Sequence, residues 1–239
     1  TGLADALSMC RARYGSGPAN AMTESWLAAL RDAAYLASAR LAQEKGAFPL
    51  FDAEPYLAAD SVRKLRPETR AEIERHGIRN ALLTSIAPTG TISLSLANNA
   101  SNGIEPSFAH LYSRNVIREG RKTKEKIDVM SFELLEYRRL VNPAAAPDDD
   151  NNALPDYFIS ADTITPKQHV DVQAAAQKWI DSSISKTANV PTDIPFEDFE
   201  DIYMYAYEKG LKGCTTFRFN PDAFQGVLVK EEDLENTTY

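Results

Sequence analysis

Residues Leu83 to Arg114 read "LTSIAPTGTISLSLANNASNGIEPSFAHLYSR". Within and just before this stretch, an apolar, partly β-branched segment, Asn80 to Ala87, runs into Pro88-Thr89-Gly90-Thr91. Small polar residues follow, and then Gly103-Ile104-Glu105-Pro106. The apolar segment predicts a short buried strand. A turn behind such a strand leaves backbone N–H groups unpaired, and a helix opening from the turn adds its positive dipole end. Gly90 lacks a Cβ, so an anion can come close to the chain there. The hydroxyls of Thr89, Thr91 and Ser93 offer further donors. Pro88, Thr89, Gly90, Thr91 and Ser93 therefore form a candidate phosphate-binding turn. The same residues also suit a purely structural strand-to-helix turn. The Gly-Lys-Ser/Thr ending of a Walker loop is absent.

The flanking sequence predicts helices alternating with short strands. Thr23 to Lys45 has a cap at Thr23, apolar residues at helical spacing and Gly46 at its end. Pro67 to Gly77 reads as a second helix. Thr165 and Pro166 open a third, with an apolar stripe through Val172, Ala175 and Trp179. "SKTANVP", ending at Pro191, reads as a strand. "FEDFEDIYMYAYEKG" reads as a helix stopped by Gly210, and Gly213 to Phe219 as the last strand. This order predicts an α/β fold with parallel strands, either a barrel or an open doubly wound sheet. Residues 142–157 form a loop with three prolines and an acidic run, Asp148 to Asp150, read as solvated. The basic segment Ile117 to Lys126 reads as a solvated loop or helix face.

The 239 residues are enough to bury a sizeable core. A net charge of −8 argues against broad binding to nucleic acid or to an anionic membrane. No apolar run approaches the roughly 20 residues of a membrane span, and a cytoplasmic protein is expected. Two cysteines, Cys10 and Cys214, and three histidines without metal-type spacing predict neither a disulfide framework nor a metal centre. Both cysteines are read as reduced, partly buried thiols. His110 and Tyr112 are read as packing residues. The chain opens on Thr1, which suggests a processed or recombinant piece.

The combination of Pro-Thr-Gly-Thr, a small-polar run and Gly-Ile-Glu-Pro resembles the catalytic subunit of ribonucleotide reductase, most closely its adenosylcobalamin-dependent class. "GLADALSMCRARYGS" (2–16), "RDAAYLASARLAQEKGAFPLFD" (31–52), "SISKTANVP" (183–191) and "YEKGLKGCTTFRFNP" (207–221) extend the resemblance over nearly the whole chain. It implies that residues 1–239 form the C-terminal portion of the family's ten-stranded α/β barrel. The turn at Pro88 to Thr91 would bind the phosphates of a ribonucleoside di- or triphosphate. Gly103, Ile104, Glu105 and Pro106 would lie close to the same pocket. The implied reaction replaces the ribose 2′-hydroxyl with hydrogen by thiyl-radical chemistry, with adenosylcobalamin as cofactor. The family's Asn-x-Cys-x-Glu finger loop is absent, so no catalytic residue is assigned, and the piece alone is expected to be inactive. Phe217 and Phe219 stand where metal-dependent relatives carry a tyrosine pair, which favours the cobalamin class. Open sheet edges in half a barrel predict pairing with the missing N-terminal half, or homo-oligomerisation. The rival expectations are a nucleotide-binding module without catalysis and a structural fragment of the same fold.

Overall fold

The computed structural model describes residues 1–95, 98–117 and 124–218. Its helices are α1 (Leu3–Met9), α2 (Gly17–Lys45), α3 (Ala53–Ala58), α4 (Asp60–Arg63), α5 (Pro67–His76), α6 (Gly90–Ser95), α7 (Phe132–Leu140), α8 (Pro166–Gln177) and α9 (Phe196–Glu208). Its strands are β1 (Leu111–Ile117), β2 (Lys124–Met130), β3 (Thr187–Val190) and β4 (Thr215–Arg218).

Helix α2 begins upstream of the expected Thr23. The Ser16 hydroxyl accepts from the Ala19 N–H at 3.3 Å, and Pro18 sits in the first turn, where its missing N–H costs nothing. Thr23 is an interior residue whose hydroxyl donates to the Ala19 carbonyl at 2.9 Å. Gly46, at a φ of 80°, ends the helix. Helix α8 starts as expected, with a full capping box between Thr165 and Gln168.

Helix α8 is the hub of the core. It is buried on nearly every side, as a helix packed all round must be. Val172 joins Leu7, Tyr14, Ala19 and Ile164. Ala176 joins Ile104, Ile180 and Ile184. Val170 joins Val190, Ile202 and Ala206. A separate cluster, with Tyr35, Ala39, Val62, Leu65, Ile73 and Ile78, packs α5 against the middle of α2.

β3 and β4 are parallel, with Thr187 opposite Thr215, and α9 crosses between them. The expected strand Asn80–Ala87 is only partly realised. It is extended, and its ladder contact is a single parallel bridge between Ile86 and Ile184. The reason is Asp181. Its Oδ2 accepts the Leu83 and Thr84 N–H groups at 2.8 and 3.0 Å, so a carboxylate stands where a neighbouring strand would. Ser182 N and Ser185 N then donate to the Thr84 and Ile86 carbonyls at 3.0 and 2.9 Å. The parallel α/β expectation therefore holds for the segments 83–87, 182–190 and 215–218. The described residues form no closed barrel.

β1 and β2 form an antiparallel hairpin that the sequence reading missed. The segment Ile117 to Lys126, expected as a loop or helix face, contributes Ile117 to β1 and Lys124–Lys126 to β2. The overlooked signal is alternation. Lys126 and Asp128 are exposed, while Ile127 and Val129 are half-buried. Residues 118–123, Phe219 and the sequence beyond it lie outside the described residues. Among the described residues no helix is long and apolar enough to cross a membrane.

Replacing Asp181 by Ala should cost about 2–3 kcal/mol, because three partly buried hydrogen bonds to a charged acceptor are lost together. Urea unfolding measures the loss, and amide exchange at Leu83 and Thr84 should speed up selectively. Unchanged exchange there would contradict the anchoring role.

Candidate functional site

The Pro88–Thr91 turn closes the C-terminal end of the segment 83–87 and opens α6. The N–H groups of Gly90, Thr91 and Ile92 belong to the first turn of that helix and have no intrahelical acceptor. Thr89 takes a left-handed φ of 53°, which a β-branched residue rarely adopts. Its hydroxyl explains the tolerance: Oγ1 accepts the Gly103 N–H at 2.8 Å. Gly103 is itself at a φ of 50°, and a Cβ there would lie 2.7 Å from the Ala87 carbonyl oxygen. The Thr89 side chain thus clasps the backbone of the second motif, and only glycine fits at position 103.

The clasp shapes a recess of about 370 Å³ whose lining includes Gly90, Thr91, Asn99, Asn102, Pro106 and Tyr112. A Cβ on Gly90 would meet only Asn102 Nδ2, at 3.9 Å, so open space lies in front of it. Pro88 and Thr91 are exposed. The Ser93 hydroxyl is buried and lies 2.6 Å from Thr1 Oγ1, and the Thr89 hydroxyl is engaged by Gly103. Of the three expected hydroxyl donors, Thr91 is the one on the recess wall.

The Gly-Ile-Glu-Pro residues are divided. Pro106 lines the recess. Ile104 is buried in the core, and its carbonyl accepts the Tyr14 hydroxyl at 2.6 Å. Glu105 turns away from the recess. Its Oε2 meets Lys186 Nζ at 2.5 Å, and its Oε1 accepts the Thr187 N–H. Lys186 is buried and also reaches Nδ1 of His169 and the Thr187 carbonyl. His169 is held neutral, with its pKa pushed down to about 3 by burial and by the Lys186 charge. Nδ1 then accepts from Lys186, and the Nε2 proton goes to the Ala161 carbonyl at 3.1 Å. Sequence reasoning missed Lys186 and His169. The motif "SISKTANVP" contained the lysine, but nothing in it showed that the side chain points inwards.

A buried acid pair supports the back of the recess. Asp5 Oδ2 accepts the Ser101 N–H and hydroxyl at 2.7 and 2.9 Å. Glu133 Oε1 accepts the Ser107 hydroxyl at 2.7 Å and lies 3.0 Å from His110 Nδ1. The other oxygens, Asp5 Oδ1 and Glu133 Oε2, are buried with no conventional donor, and the two carboxyls interact with each other. One proton shared between them satisfies both. Burial first, and then Glu133, push the Asp5 pKa up to about 7. Glu133 is opposed by its own burial, yet hydrogen bonds from His110, Asp5 and Ser107 bring it down to about 2. His110, expected to be a packing residue, is a member of this network. Tyr112 lines the recess, and its hydroxyl donates to Asn99 Oδ1 at 3.2 Å.

Cys10 is exposed and Cys214 half-buried, and both are free thiols. Burial pushes the Cys214 thiol up, so it is a weak nucleophile. Asp149, in the acidic run, accepts from Asn151 N and Asn152 Nδ2 within its own exposed loop.

The ribonucleotide reductase barrel-domain family model matches residues 1–217. The chain is 31% identical over 231 residues to the vitamin B12-dependent ribonucleoside-diphosphate reductase of Mycobacterium tuberculosis, covering 91% of this chain and 30% of the relative. It is 32% identical over 233 residues to the protein of the same name from Thermoplasma acidophilum, covering 91% and 27%. The vitamin B12-dependent ribonucleotide reductase of Rhodopirellula baltica is 29% identical over 183 residues, covering 69% and 18%. The chain therefore spans less than a third of the length of these relatives.

The acid pair gives a pH dependence with a definite sign. Burial and the neighbouring Glu133 raise the Asp5 pKa from the ordinary 3.8 to about 7 in the folded chain. Between these values the folded state holds the extra proton on Asp5, so the Asp5 contribution to stability is lost as pH rises from about 4 to about 7. In Asp5→Asn the amide can donate to Glu133 without titrating. Denaturant midpoints measured from pH 4 to 8 should fall less steeply for the variant than for the wild type. Parallel curves would rule out the shared proton.

Proposed function

This chain belongs to the ribonucleotide reductase barrel-domain family, and from that premise we propose that it supplies the substrate-phosphate-binding part of a vitamin B12-dependent ribonucleotide reductase. The observation that carries the reading is the open space in front of Gly90, inside a recess that Thr91 and Pro106 also line. Unpaired N–H groups in the first turn of α6 and the Thr91 hydroxyl are the donors this arrangement offers a phosphate. Two of the relatives are named as ribonucleoside-diphosphate reductases. A ribonucleoside diphosphate is the proposed substrate, with its phosphates at Gly90 and Thr91 and its sugar towards Pro106 and Asn102.

In this reading Thr89, Ser93, Gly103, Ile104 and Glu105 hold the recess in shape rather than touch the nucleotide. The residues form part of the family's ten-stranded barrel, and the remainder of the enzyme pairs along the outer edges of the segments 83–87 and 215–218. The thiyl-forming cysteine belongs to that remainder. Adenosylcobalamin, when bound, supplies the radical that starts reduction. A recess of about 370 Å³ suits phosphates and a sugar, not a corrin ring. None of the described residues is assigned to the corrinoid.

Two measurements test this reading. The full-length enzyme that contains this chain should form deoxynucleotide only when adenosylcobalamin is supplied. A requirement for a metal-bearing second subunit would instead overturn the cobalamin class. Gly90→Val should weaken diphosphate binding at least tenfold while leaving the unfolding midpoint nearly unchanged, because its side chain enters ligand space and not protein. Retained affinity in a folded variant would favour a purely structural turn.

A further inference from the structure

A second cavity, of about 510 Å³, lies at the opposite end of the parallel segments. Ala81 and Leu82 enter it just before the segment 83–87, Trp179 to Asp181 just before 182–190, and Gly210 and Lys212 just before 215–218. Helix α2 adds Arg31 and Tyr35, and the α3–α4 region adds Tyr56, Ser61 and Lys64.

The cavity inverts the charge of the protein. The chain carries a net charge of −8, yet Arg31, Lys64, Lys178, Lys209 and Lys212 line this space against the carboxylate of Asp181. Two of these cations are neutralised elsewhere: Lys178 pairs with Glu24 at 2.6 Å and Lys209 with Asp171 at 3.2 Å. Among the described residues, Arg31, Lys64 and Lys212 have no ion pair. Lys212 donates to the Asp181 backbone carbonyl. Asp181 spends its own carboxylate on Tyr35, Leu83 and Thr84. Three unpaired cations against one carboxylate leave a double positive charge.

Arg31 is the decisive residue. It is 1% exposed, and its charge lies over the Trp179 ring at 4.9 Å. Nη1 donates to the Ser61 carbonyl at 3.3 Å. Nε and Nη2 have no acceptor among the described residues, nor does Trp179 Nε1. Guanidinium and indole can only donate, so these groups need an acceptor from outside. A buried cation without a counter-charge is strongly unfavourable, and a cation–π contact offsets only part of that cost. An oxyanion with several lone pairs and a charge near −2 meets both demands, and a phosphate monoester has that charge at neutral pH.

We propose that this cavity binds the phosphate group of a small phosphorylated metabolite, through Arg31, Lys64 and Lys212, with Trp179 as a neutral donor. Its volume lies within the range of small-molecule sites, so the organic part of such a ligand fits beside the phosphate. The proposal does not depend on the reading of the Gly90 recess, which lies at the other end of the same segments.

The test is isothermal titration of the 239-residue chain carrying Gly90→Val, which removes the recess as a competing phosphate site. The probes are ribose 5-phosphate, inorganic phosphate and unphosphorylated ribose. The expected result is saturable one-to-one binding of ribose 5-phosphate, weaker binding of inorganic phosphate and none of ribose. Adding Lys64→Gln and Lys212→Gln, two changes at the cavity rim, should weaken binding at least tenfold with the fold intact by circular dichroism. Arg31→Gln should do the same, and the rim pair decides the matter if that variant unfolds. Absence of saturable phosphate binding, or binding unchanged in the lysine variants, would overturn the proposal.

Discussion

The ammonium group of Lys186 is the constraint from which the candidate site follows. It sits inside the protein, where burial alone would drive off its proton. It keeps its charge only if acceptors surround it, and each acceptor comes from a different part of the chain. Glu105 comes from the loop before β1, His169 from α8, and the Thr187 carbonyl from β3. Glu105 also accepts the Thr187 N–H, as the next strand of a sheet would. The loop carrying Gly-Ile-Glu-Pro is therefore fixed against the parallel segments by a charge that cannot be left alone. Pro106 follows directly and is delivered to the recess wall.

The other side of the recess is fixed by a close approach. Gly103 passes over the Ala87 carbonyl at a distance that no other residue tolerates, and its N–H goes to Thr89. Thr89 holds a strained backbone in return. Strain of this kind costs roughly 1–3 kcal/mol and persists only where the surroundings over-determine it. Here they do so from both directions, through the Gly103 hydrogen bond and the turn into α6. The result is a turn whose backbone direction is fixed from both sides. Asp5 and Glu133 brace the same region from behind, through Ser101 and Ser107.

Much of this was legible in the sequence, for reasons that differ by residue. Thr165, Pro166 and Gln168 declare a helix start by local chemistry, and the structure has that start. Ser16, Gly17 and Pro18 carry an equally local signal, but Gly-Pro also reads as a turn, and the helix was expected to open at Thr23. The hairpin β1–β2 is hidden in the sequence because Lys124, Glu125, Lys126 and Asp128 make the segment read as a solvated charge run, although Ile127 and Val129 alternate with the last two. The motif pair Pro-Thr-Gly-Thr and Gly-Ile-Glu-Pro located the recess, yet not the division of labour within it. Nothing local distinguishes a glutamate that faces a pocket from one that faces a buried lysine 81 positions away. Shared protons and buried charges arise from long-range packing, and Asp5, Glu133, His169 and Arg31 could be assigned only once the chain was folded.

The two cavities show how one set of parallel segments can treat its two ends differently. In open α/β sheets, ligands gather outside the carboxyl ends of the strands, where turns into helices expose unpaired N–H groups. The Gly90 recess lies at that end, and among the described residues that line it there is no lysine or arginine. The opposite end has no such supply, since chain entering a strand brings no helix N-terminus with it. Anything anionic held there must be held by side chains. The cavity beneath Leu82, Asp181 and Lys212 is lined by cations, in a protein that is otherwise acidic. Asp181 belongs to both arrangements: it anchors the segment that leads to the recess and sets the charge balance of the cavity below. A ligand that altered the hold of Asp181 on Leu83 and Thr84 would shift the base of the strand whose far end carries Gly90.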